Sequence, residues 1–263
     1  MLFQLLCVVY YLIVYLAIPG GFIFQMSIVY PNLVVKLEAG VARQFMHICI
    51  ISFLFVNVFG NLFLSDSTLK KPVIGGVTYC ELCRMLRPAR SWHCMECNVC
   101  ILKRDHHCTF LARCIGLYNL RYYILFLGHV MLSMLYMTYW NYKYVTLRFD
   151  EDELIHSAAC MINPMLRLVM PKPFGIIDIY VSYCFFNFLV TLVSGSLFFF
   201  HLRNVLVDVT SYESRFPSLM NSSKWKENLL NVFGTTWYLA ILCPLARSAL
   251  QKGDTTQSFL KNL

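Results

Sequence analysis

Long stretches without a charged side chain alternate with polar segments along this chain. Four stretches without Asp, Glu, Lys or Arg are rich in Leu, Ile, Val and Phe. A helix needs about 20 mostly apolar residues to cross the hydrocarbon core of a bilayer. The pattern therefore predicts four membrane-spanning helices, near residues 3–27, 44–64, 122–142 and 179–202.

The first of the four apolar stretches is less regular than the others, and so is a further apolar window in the tail. A Pro-Gly-Gly sequence at residues 19–21 breaks the first stretch, which has no basic residue before it and no small-residue cleavage pattern. We therefore expect a retained span and not a cleaved signal peptide. Residues 228–246 form a fifth apolar window, but it is short and contains Gly234 and Pro244. We predict that this window packs against the protein or lies at the membrane interface.

Lys and Arg are distributed unevenly between the predicted spans. Residues 65–121 and the tail after residue 202 contain nine and seven of the 22 Lys and Arg, and the positive-inside rule places such segments in the cytosol. Charged residues make up 14% of the chain, against about 25% in soluble domains. The net charge of +8 arises beside apolar spans, so attraction to anionic lipid explains it more simply than binding of nucleic acid.

These patterns together predict an α-helical integral membrane protein with four transmembrane helices, organised in four parts. Residues 1–65 hold the first two spans, and residues 66–121 form a cytosolic cysteine-rich segment. Residues 122–202 hold spans three and four with a luminal loop, and residues 203–263 form a cytosolic tail. We find no internal repeat and no low-complexity tract.

The predicted cytosolic segment concentrates cysteine and histidine. Seven of the 12 cysteines lie between Cys80 and Cys114, in a reducing compartment where disulfides rarely persist. The segment has few aliphatic residues, and small domains of this kind generally need a metal as a staple. Its repeated C-x-x-C spacing indicates zinc. The potential ligands are Cys80, Cys83, His93, Cys94, Cys97, Cys100, His106, His107, Cys108 and Cys114.

Two of these ten side chains are not needed as zinc ligands. Two tetrahedral sites of three cysteines and one histidine use eight ligands, so one histidine and one cysteine remain. A cysteine beside a histidine that binds no metal is the arrangement of an activated nucleophile. Asp105, in the string "RDHHCTF", is placed to orient such a histidine. Spacing alone does not say which pair is left over, and a zinc-stapled binding module without catalytic activity is the competing interpretation.

The run "CELCRMLRPARSWHCMECNVCILKRDHHC", followed by "CIGLYN", resembles the cysteine-rich domain of the DHHC protein S-acyltransferases, or palmitoyltransferases. The resemblance covers Cys80 to Phe126, and four spans with this domain between spans two and three are similar to the family's architecture. The resemblance implies that the pair left over is His106 and Cys108. It also implies two zinc ions, one held by Cys80, Cys83, His93 and Cys100 and the other by Cys94, Cys97, His107 and Cys114.

The resemblance further implies an activity. Asp105 orients His106, which takes the proton of Cys108, and the thiolate attacks the thioester of a long-chain acyl-CoA such as palmitoyl-CoA. The acyl group then passes to a cysteine of a protein substrate. At the level of the family, the expected location is the endoplasmic reticulum or Golgi membrane. The phosphates of CoA need cations, for which the nearby candidates are Arg87, Arg90, Lys103, Arg104 and Arg113.

Two shorter strings after the last span are also similar to family motifs. "TSYE", residues 210–213, resembles a Thr-Thr-x-Glu motif in which Ser211 keeps the hydroxyl, and "NLLNVFG", residues 228–234, contains a matching Asn228. Near the nucleophile the chain departs from the common pattern, with Thr-Phe at 109–110 in place of Pro-Trp and Ala-Arg at 112–113 in place of Asn-Asn. These departures keep open an alternative function, a catalytically weak, zinc-stapled membrane scaffold or adaptor.

Overall fold

The computed structural model of the protein describes residues 2–36, 40–68, 75–76, 78–220 and 223–246. For residues 2–5, 7, 35 and 36 it gives the backbone alone. Parts of three predicted segments lie outside the described residues: 1 and 37–39 of the first segment, 69–74 and 77 of the cysteine-rich segment, and 221–222 and 247–263 of the tail. The predicted boundaries between the four parts of the chain stay a prediction.

Helices make up most of the described chain. They are α1 (Leu2–Phe24), α2 (Tyr30–Lys36), α3 (Val41–Ser67), α4 (Leu120–Arg148), α5 (Glu151–Ile162), α6 (Leu166–Val169), α7 (Ile176–Leu206), α8 (Trp225–Phe233) and α9 (Trp237–Leu242). A π-helical turn, Gln25–Val29, joins α1 to α2. Two 3-10 turns, Glu213–Arg215 and Pro217–Leu219, follow α7.

Within the described part of the chain, four helical segments are long and apolar enough to cross a membrane: Val8–Val34, Val41–Ser67, Leu120–Arg148 and Ile176–Leu206. They confirm the predicted class, an α-helical membrane protein with four spans. The predicted break at residues 19–21 is wrong, because α1 continues through Pro19. Inside a bilayer no water can take over a lost backbone hydrogen bond, so helical structure persists where a proline would end it in a soluble protein.

The fifth apolar window forms α8 and α9, which have nine and six residues. Both are too short to cross a bilayer. Gly234 separates them with a positive φ of 81°. After α9 the chain packs on α3, where a Cβ atom added at Gly60 would lie only 2.5 Å from Cγ of Pro244. This close approach agrees with the prediction of a packed segment.

The chain divides into two compact units. Unit 1 comprises Met1–Ile18, Val56–Leu127 and Leu197–Leu263, and unit 2 comprises Pro19–Phe55 and Gly128–Ser196. The core of unit 1 joins residues from the ends of three membrane helices with residues from the cysteine-rich segment; it includes Leu62, Cys108, Leu111, Ile115, Ile124 and Val205. The core of unit 2 consists of Val29, Leu33, Tyr144, Val145, Tyr180 and Val181.

In its described residues, the cysteine-rich segment of unit 1 contains three short antiparallel hairpins. Hairpin 1 pairs β1 (Thr78–Cys80) with β2 (Met85–Arg87). Hairpin 2 pairs β3 (Trp92–Cys94) with β4 (Val99–Ile101), and hairpin 3 pairs β5 (His106–Cys108) with β6 (Arg113–Ile115). Strands this short bury little apolar area, so their order depends on the cysteine and histidine side chains that they carry.

Candidate metal sites and active site

The first cysteine and histidine cluster links hairpins 1 and 2. It consists of Cys80, Cys83, His93 and Cys100, whose ligand atoms all lie within 4.8 Å of one another. The Nδ1 atom of His93 lies 3.2 Å from Sγ of Cys83 and 3.8 Å from Sγ of Cys80. The backbone N–H of Cys83 donates a hydrogen bond to Sγ of Cys80. Thiolates that bind a metal commonly accept such hydrogen bonds.

The second cluster links hairpins 2 and 3 in the same way. It consists of Cys94, Cys97, His107 and Cys114, again with ligand atoms within 4.8 Å. The Nδ1 atom of His107 lies 3.5 Å from the sulfur atoms of both Cys94 and Cys97. The sulfur atoms of Cys97 and Cys114 lie 3.8 Å apart.

Both clusters have the dimensions of a tetrahedral zinc site. Zinc bonds of about 2.3 Å to sulfur and about 2.1 Å to nitrogen require sulfur atoms about 3.8 Å apart and sulfur-to-nitrogen distances of about 3.6 Å. The observed distances of 3.2 to 3.8 Å match these values. Three thiols and one imidazole form a donor set typical of structural zinc. The two sets are the ones that the resemblance implies, and both fit the metal.

The three hairpins repeat with a period of 14 residues, which the sequence analysis missed. Their strands begin at residues 78, 92 and 106, and the backbone pairing is the same in each. Each turn also contains one residue with a φ near +50°; these residues are Arg84, Asn98 and Ala112. The signal was present in the sequence as the equal spacing of Cys80, Cys94 and Cys108.

Asp105, His106 and Cys108 lie together and belong to neither zinc-fitting cluster. The Nδ1 atom of His106 lies 2.8 Å from Oδ2 of Asp105. Cys108 is buried in the core of unit 1, and it lies on the same face of β5 as His106 because side chains alternate along a strand. Burial disfavours the charged form of His106, but hydrogen bonds with Asp105 and Cys108 outweigh it and raise the pKa of His106 to about 9.

Asp105 is held by two segments outside the cysteine-rich region. Ser211 donates hydrogen bonds from its backbone N–H and its hydroxyl to the two carboxylate oxygens. His201, on α7, has its Nδ1 atom 3.4 Å from Oδ2 of Asp105. Burial opposes ionisation of Asp105, but the hydrogen bonds from His106 and Ser211 outweigh it and lower its pKa. The structure therefore contains a buried, ionised carboxylate beside the His106 ring.

His201 and Tyr123 are the site residues that sequence analysis missed. The rings of His201 and His106 stack with their centroids 5.2 Å apart, and the Tyr123 ring forms T-shaped contacts with both. A lone histidine or tyrosine in an apolar helix reads as a packing or interfacial residue. Only the fold, which brings residues 95 positions apart into contact, gives these side chains a place in the site.

The predicted cations of the CoA site have partners in the structure. Arg90 forms ion pairs with Asp208 and Glu213, and Lys103 also pairs with Asp208. Arg113 pairs with Asp66. A phosphate would have to displace carboxylates from these side chains. Arg87 donates to the Ser91 carbonyl and lies over the Trp92 ring, and Arg104 donates to Cys114 and Cys94. Binding of CoA by any of these residues stays a prediction.

The two short strings of the tail are also connected to this region. Glu213 accepts a hydrogen bond from the N–H of Thr210 and two from the guanidinium of Arg90. The side-chain amide of Asn228 donates to the carbonyl of Leu206, the last residue of α7. Both strings therefore fasten the chain after the last span to the cysteine-rich segment and to α7.

The fold and the site define a class: a four-span membrane protein with a cysteine-rich domain of two zinc-fitting clusters and a separate cysteine, histidine and aspartate group. Residues 74–216, more than half of the chain, match the DHHC palmitoyltransferase family. The chain belongs to this family.

Similar proteins bear related names. Protein S-acyltransferase 8 of Arabidopsis thaliana is 29% identical over 62% of this chain and 39% of its own length. The probable palmitoyltransferase ZDHHC24 of Rattus norvegicus is 27% identical over 78% of this chain and 75% of its own length. Palmitoyltransferase ZDHHC15 of Xenopus laevis is 40% identical over 29% of this chain and 23% of its own length. Apart from the rat protein, the chain spans less than half the length of these relatives.

Proposed function

We propose that this protein is a protein S-acyltransferase that uses Cys108 as its nucleophile. The observation that carries the proposal is the separation of Cys108 and His106 from both zinc-fitting clusters. A cysteine that is not a metal ligand, beside a histidine hydrogen-bonded to an aspartate, has the parts of a nucleophile with its general base. The names of the relatives, palmitoyltransferase and protein S-acyltransferase, support the same reaction class.

The first step transfers the acyl group to the enzyme. Because Nδ1 of His106 is turned to Asp105, its Nε2 atom is the one free to take the proton of Cys108. The thiolate attacks the carbonyl carbon of a long-chain acyl-CoA and forms a new thioester, while the bond from that carbon to the CoA sulfur breaks. The proton held at Nε2 passes to the departing CoA thiolate.

The second step returns the enzyme to its first state. A cysteine thiol of a protein substrate gives its proton to Nε2 of His106 and attacks the acyl-enzyme carbonyl. The substrate thioester forms, and the proton returns to the sulfur of Cys108. Throughout both steps the ionised carboxylate of Asp105 keeps the His106 ring in place and stabilises its positive charge.

The surroundings of Cys108 suit a fatty acyl donor. Cys108 shares an apolar core with Leu62, Ile124 and Val205, which belong to three membrane helices. A long acyl chain attached to Cys108 can therefore remain in apolar surroundings while its thioester stays near the polar hairpins. The CoA phosphates need cations, and of the five predicted cations Arg87 and Arg104 have no carboxylate partner among the described residues.

Zinc would have a structural part in this protein. Bound by the two clusters, it supplies folding free energy to a segment with little apolar core. We propose that the cysteine-rich segment and the tail face the cytosol, as the Lys and Arg distribution favours. The partners are then long-chain acyl-CoA, cysteine-containing protein substrates and the membrane itself. The endoplasmic reticulum or Golgi membrane is the proposed location.

A second candidate is a zinc-stapled scaffold with little activity, which the Thr109 and Phe110 departures favour. Purified protein distinguishes the two when incubated with palmitoyl-CoA, with release of free CoA thiol as the readout. We expect a release burst near one equivalent per chain that is absent in Cys108→Ser, and about two zinc ions per chain in both proteins. No burst from folded wild-type protein with two zinc ions would favour the scaffold.

A further inference from the structure

Each zinc-fitting cluster takes two ligands from one hairpin and two from the next. The first pair consists of the two cysteines of a C-x-x-C turn, which are Cys80 and Cys83 in one cluster and Cys94 and Cys97 in the other. The second pair consists of facing residues in the next hairpin, where His93 is opposite Cys100 and His107 is opposite Cys114. Hairpin 1 supplies a C-x-x-C pair but no facing pair, because Tyr79 and Leu86 occupy the facing positions. Hairpin 2 carries both pairs.

Hairpin 3 retains one of the two cysteines of a C-x-x-C pair. Cys108 occupies the position of Cys80 and Cys94, and it ends its strand at the same register. Leu111 occupies the position of Cys83 and Cys97, and it is 1% exposed in the core beside Cys108. The next residue, Ala112, has the same positive φ as its counterparts. Hairpin 3 thus has the backbone of a zinc turn with one ligand replaced by leucine.

The elements that follow hairpin 3 do not continue the series. A fourth hairpin would supply ligands 14 residues after His107 and Cys114, but those positions are Arg121 and Gly128 in α4. A group of potential metal ligands nevertheless includes His106, whose side chain hydrogen-bonds with Cys108. Ligand atoms of Asp105, His106 and His201 lie within 4.8 Å of one another, and the buried Nδ1 of His201 lies 3.4 Å from Oδ2 of Asp105.

We infer that Leu111 determines the metal specificity of hairpin 3, because its apolar side chain prevents a metal ion from binding to Cys108. Cys108, the proposed nucleophile, lies in the last of the three hairpins. It occupies the strand position at which each of the other two hairpins carries a zinc-fitting cysteine. A second thiol at position 111 would complete a C-x-x-C pair, and His106, which hydrogen-bonds with Cys108, would supply a further donor. The apolar side chain of Leu111 removes that second donor and leaves the sulfur free for acyl transfer. The catalytic part of this inference rests on the proposed function.

The direct test is Leu111→Cys in the full chain, purified in detergent and equilibrated with buffered zinc. Leu111→Ser is the matched control, because serine has the size of cysteine and leaves the same cavity but binds zinc poorly. We expect three zinc ions per chain for Leu111→Cys and two for Leu111→Ser and the wild type. Leu111→Cys combined with Cys108→Ser should fall back to two, which would identify Cys108 as a ligand of the third ion.

Acyl-enzyme formation provides the second readout. We expect Leu111→Cys to lose it while three zinc ions are bound, and to regain the level of Leu111→Ser when a chelator removes only the third ion. Leu111→His offers an imidazole at the same position and is the second variant if the cysteine variant fails to retain its two structural ions. A folded variant that holds two zinc ions and acylates like Leu111→Ser overturns the inference.

The outcomes for the inference and for the proposed function are distinguishable. If wild-type protein forms no acyl-enzyme but Leu111→Cys gains a third ion, the metal part of the inference stands and the acyltransferase proposal fails. If wild-type protein forms the acyl-enzyme and Leu111→Cys stays at two ions, the inference alone is wrong.

Discussion

Ser211 donates two hydrogen bonds to Asp105, one from its backbone N–H to Oδ1 at 2.8 Å and one from its hydroxyl to Oδ2 at 2.6 Å. The second of these oxygens also faces Nδ1 of His106. A residue that follows the last membrane helix therefore fixes the carboxylate that orients the proposed general base. The "TSYE" string has a physical role in the site, and serine in the place of a family threonine preserves it.

Ser211→Ala should slow acyl-enzyme formation, while Ser211→Thr should not. A hydrogen bond to a charged group contributes about 1.5–3 kcal/mol, so loss of the hydroxyl should reduce the rate roughly tenfold or more. Stopped-flow release of CoA measures the rate. Ser196→Ala is the control, since the Ser196 hydroxyl donates to the Leu192 carbonyl of its own helix. Equal rates for Ser211→Ala and the control would contradict this role.

His201 should act as a positioning residue for the Asp105 and His106 pair. We expect His201→Asn, which removes the ring, and His201→Phe, which removes Nδ1, to lower kcat roughly 10- to 100-fold without changing KM for acyl-CoA. A second readout is alkylation of Cys108 by iodoacetamide, compared with the exposed Cys243 in the same molecule.

His47 provides the matched control for these variants. It is a buried histidine on α3 in unit 2, with its Nδ1 atom bonded to the hydroxyl of Tyr136. His47→Asn should leave kcat per folded molecule unchanged and the alkylation ratio of Cys108 to Cys243 at its wild-type value. The role assigned to His201 fails if its variants behave like this control.

Arg104 should stabilise the zinc ion of the second cluster. Its guanidinium donates to Cys114 at 3.5 Å and to Cys94 at 3.8 Å, and a zinc site with three thiolates carries a net negative charge. Changes to such outer partners cost roughly 10- to 100-fold in metal affinity. Arg104→Gln should therefore release one of two zinc ions to a chelator at least about tenfold faster. Arg84→Gln, a change in the exposed turn of hairpin 1, serves as control, and identical release curves would refute the prediction.

Arg90 should stabilise the fold more than it binds acyl-CoA. Its side chain is 20% exposed and that of Glu213 is 14% exposed. Burial opposes ionisation of Glu213, but its hydrogen bonds with Arg90 outweigh it and lower its pKa, so this carboxylate is charged at neutral pH. Arg90→Gln leaves this carboxylate without its positively charged partner, at a cost of about 3 kcal/mol in the free energy of unfolding.

Thermal unfolding of Arg90→Gln measures this cost, and adding Glu213→Gln should recover part of it. The KM for acyl-CoA in the folded fraction should stay near the wild-type value. A large rise in KM without a loss of stability would instead support the predicted contact between Arg90 and the CoA phosphates.

The sequence predicted the features that depend on local pattern. Four apolar stretches indicated four spans, and the cysteine and histidine spacing indicated two zinc sites because metal ligands have strong compositional signals. The continuous helix through Pro19 was missed because proline ends helices in water but not in a bilayer. His201 was missed because its contact with Asp105 depends on how α7 packs, and the position of a single histidine in an apolar helix does not reveal that packing.

The role of Leu111 was hidden for a different reason. Ligand counting considers cysteine and histidine, so a leucine in a ligand position leaves no trace in the count. It becomes visible only when the three hairpins are compared at the same register and with the same turn conformation. The 14-residue period then explains why one cysteine of the segment remains outside the metal sites.

In the proposed reaction, Cys108 carries the acyl group. The most direct measurement is site mapping by tandem mass spectrometry of purified protein after brief incubation with palmitoyl-CoA. We predict one hydroxylamine-labile palmitoyl group per chain, located on Cys108, absent in Cys108→Ser and retained in Cys49→Ser, with zinc content unchanged. Palmitoyl on a cysteine of either zinc-fitting cluster, or no adduct on folded wild-type protein, would rule out Cys108 as the acyl carrier.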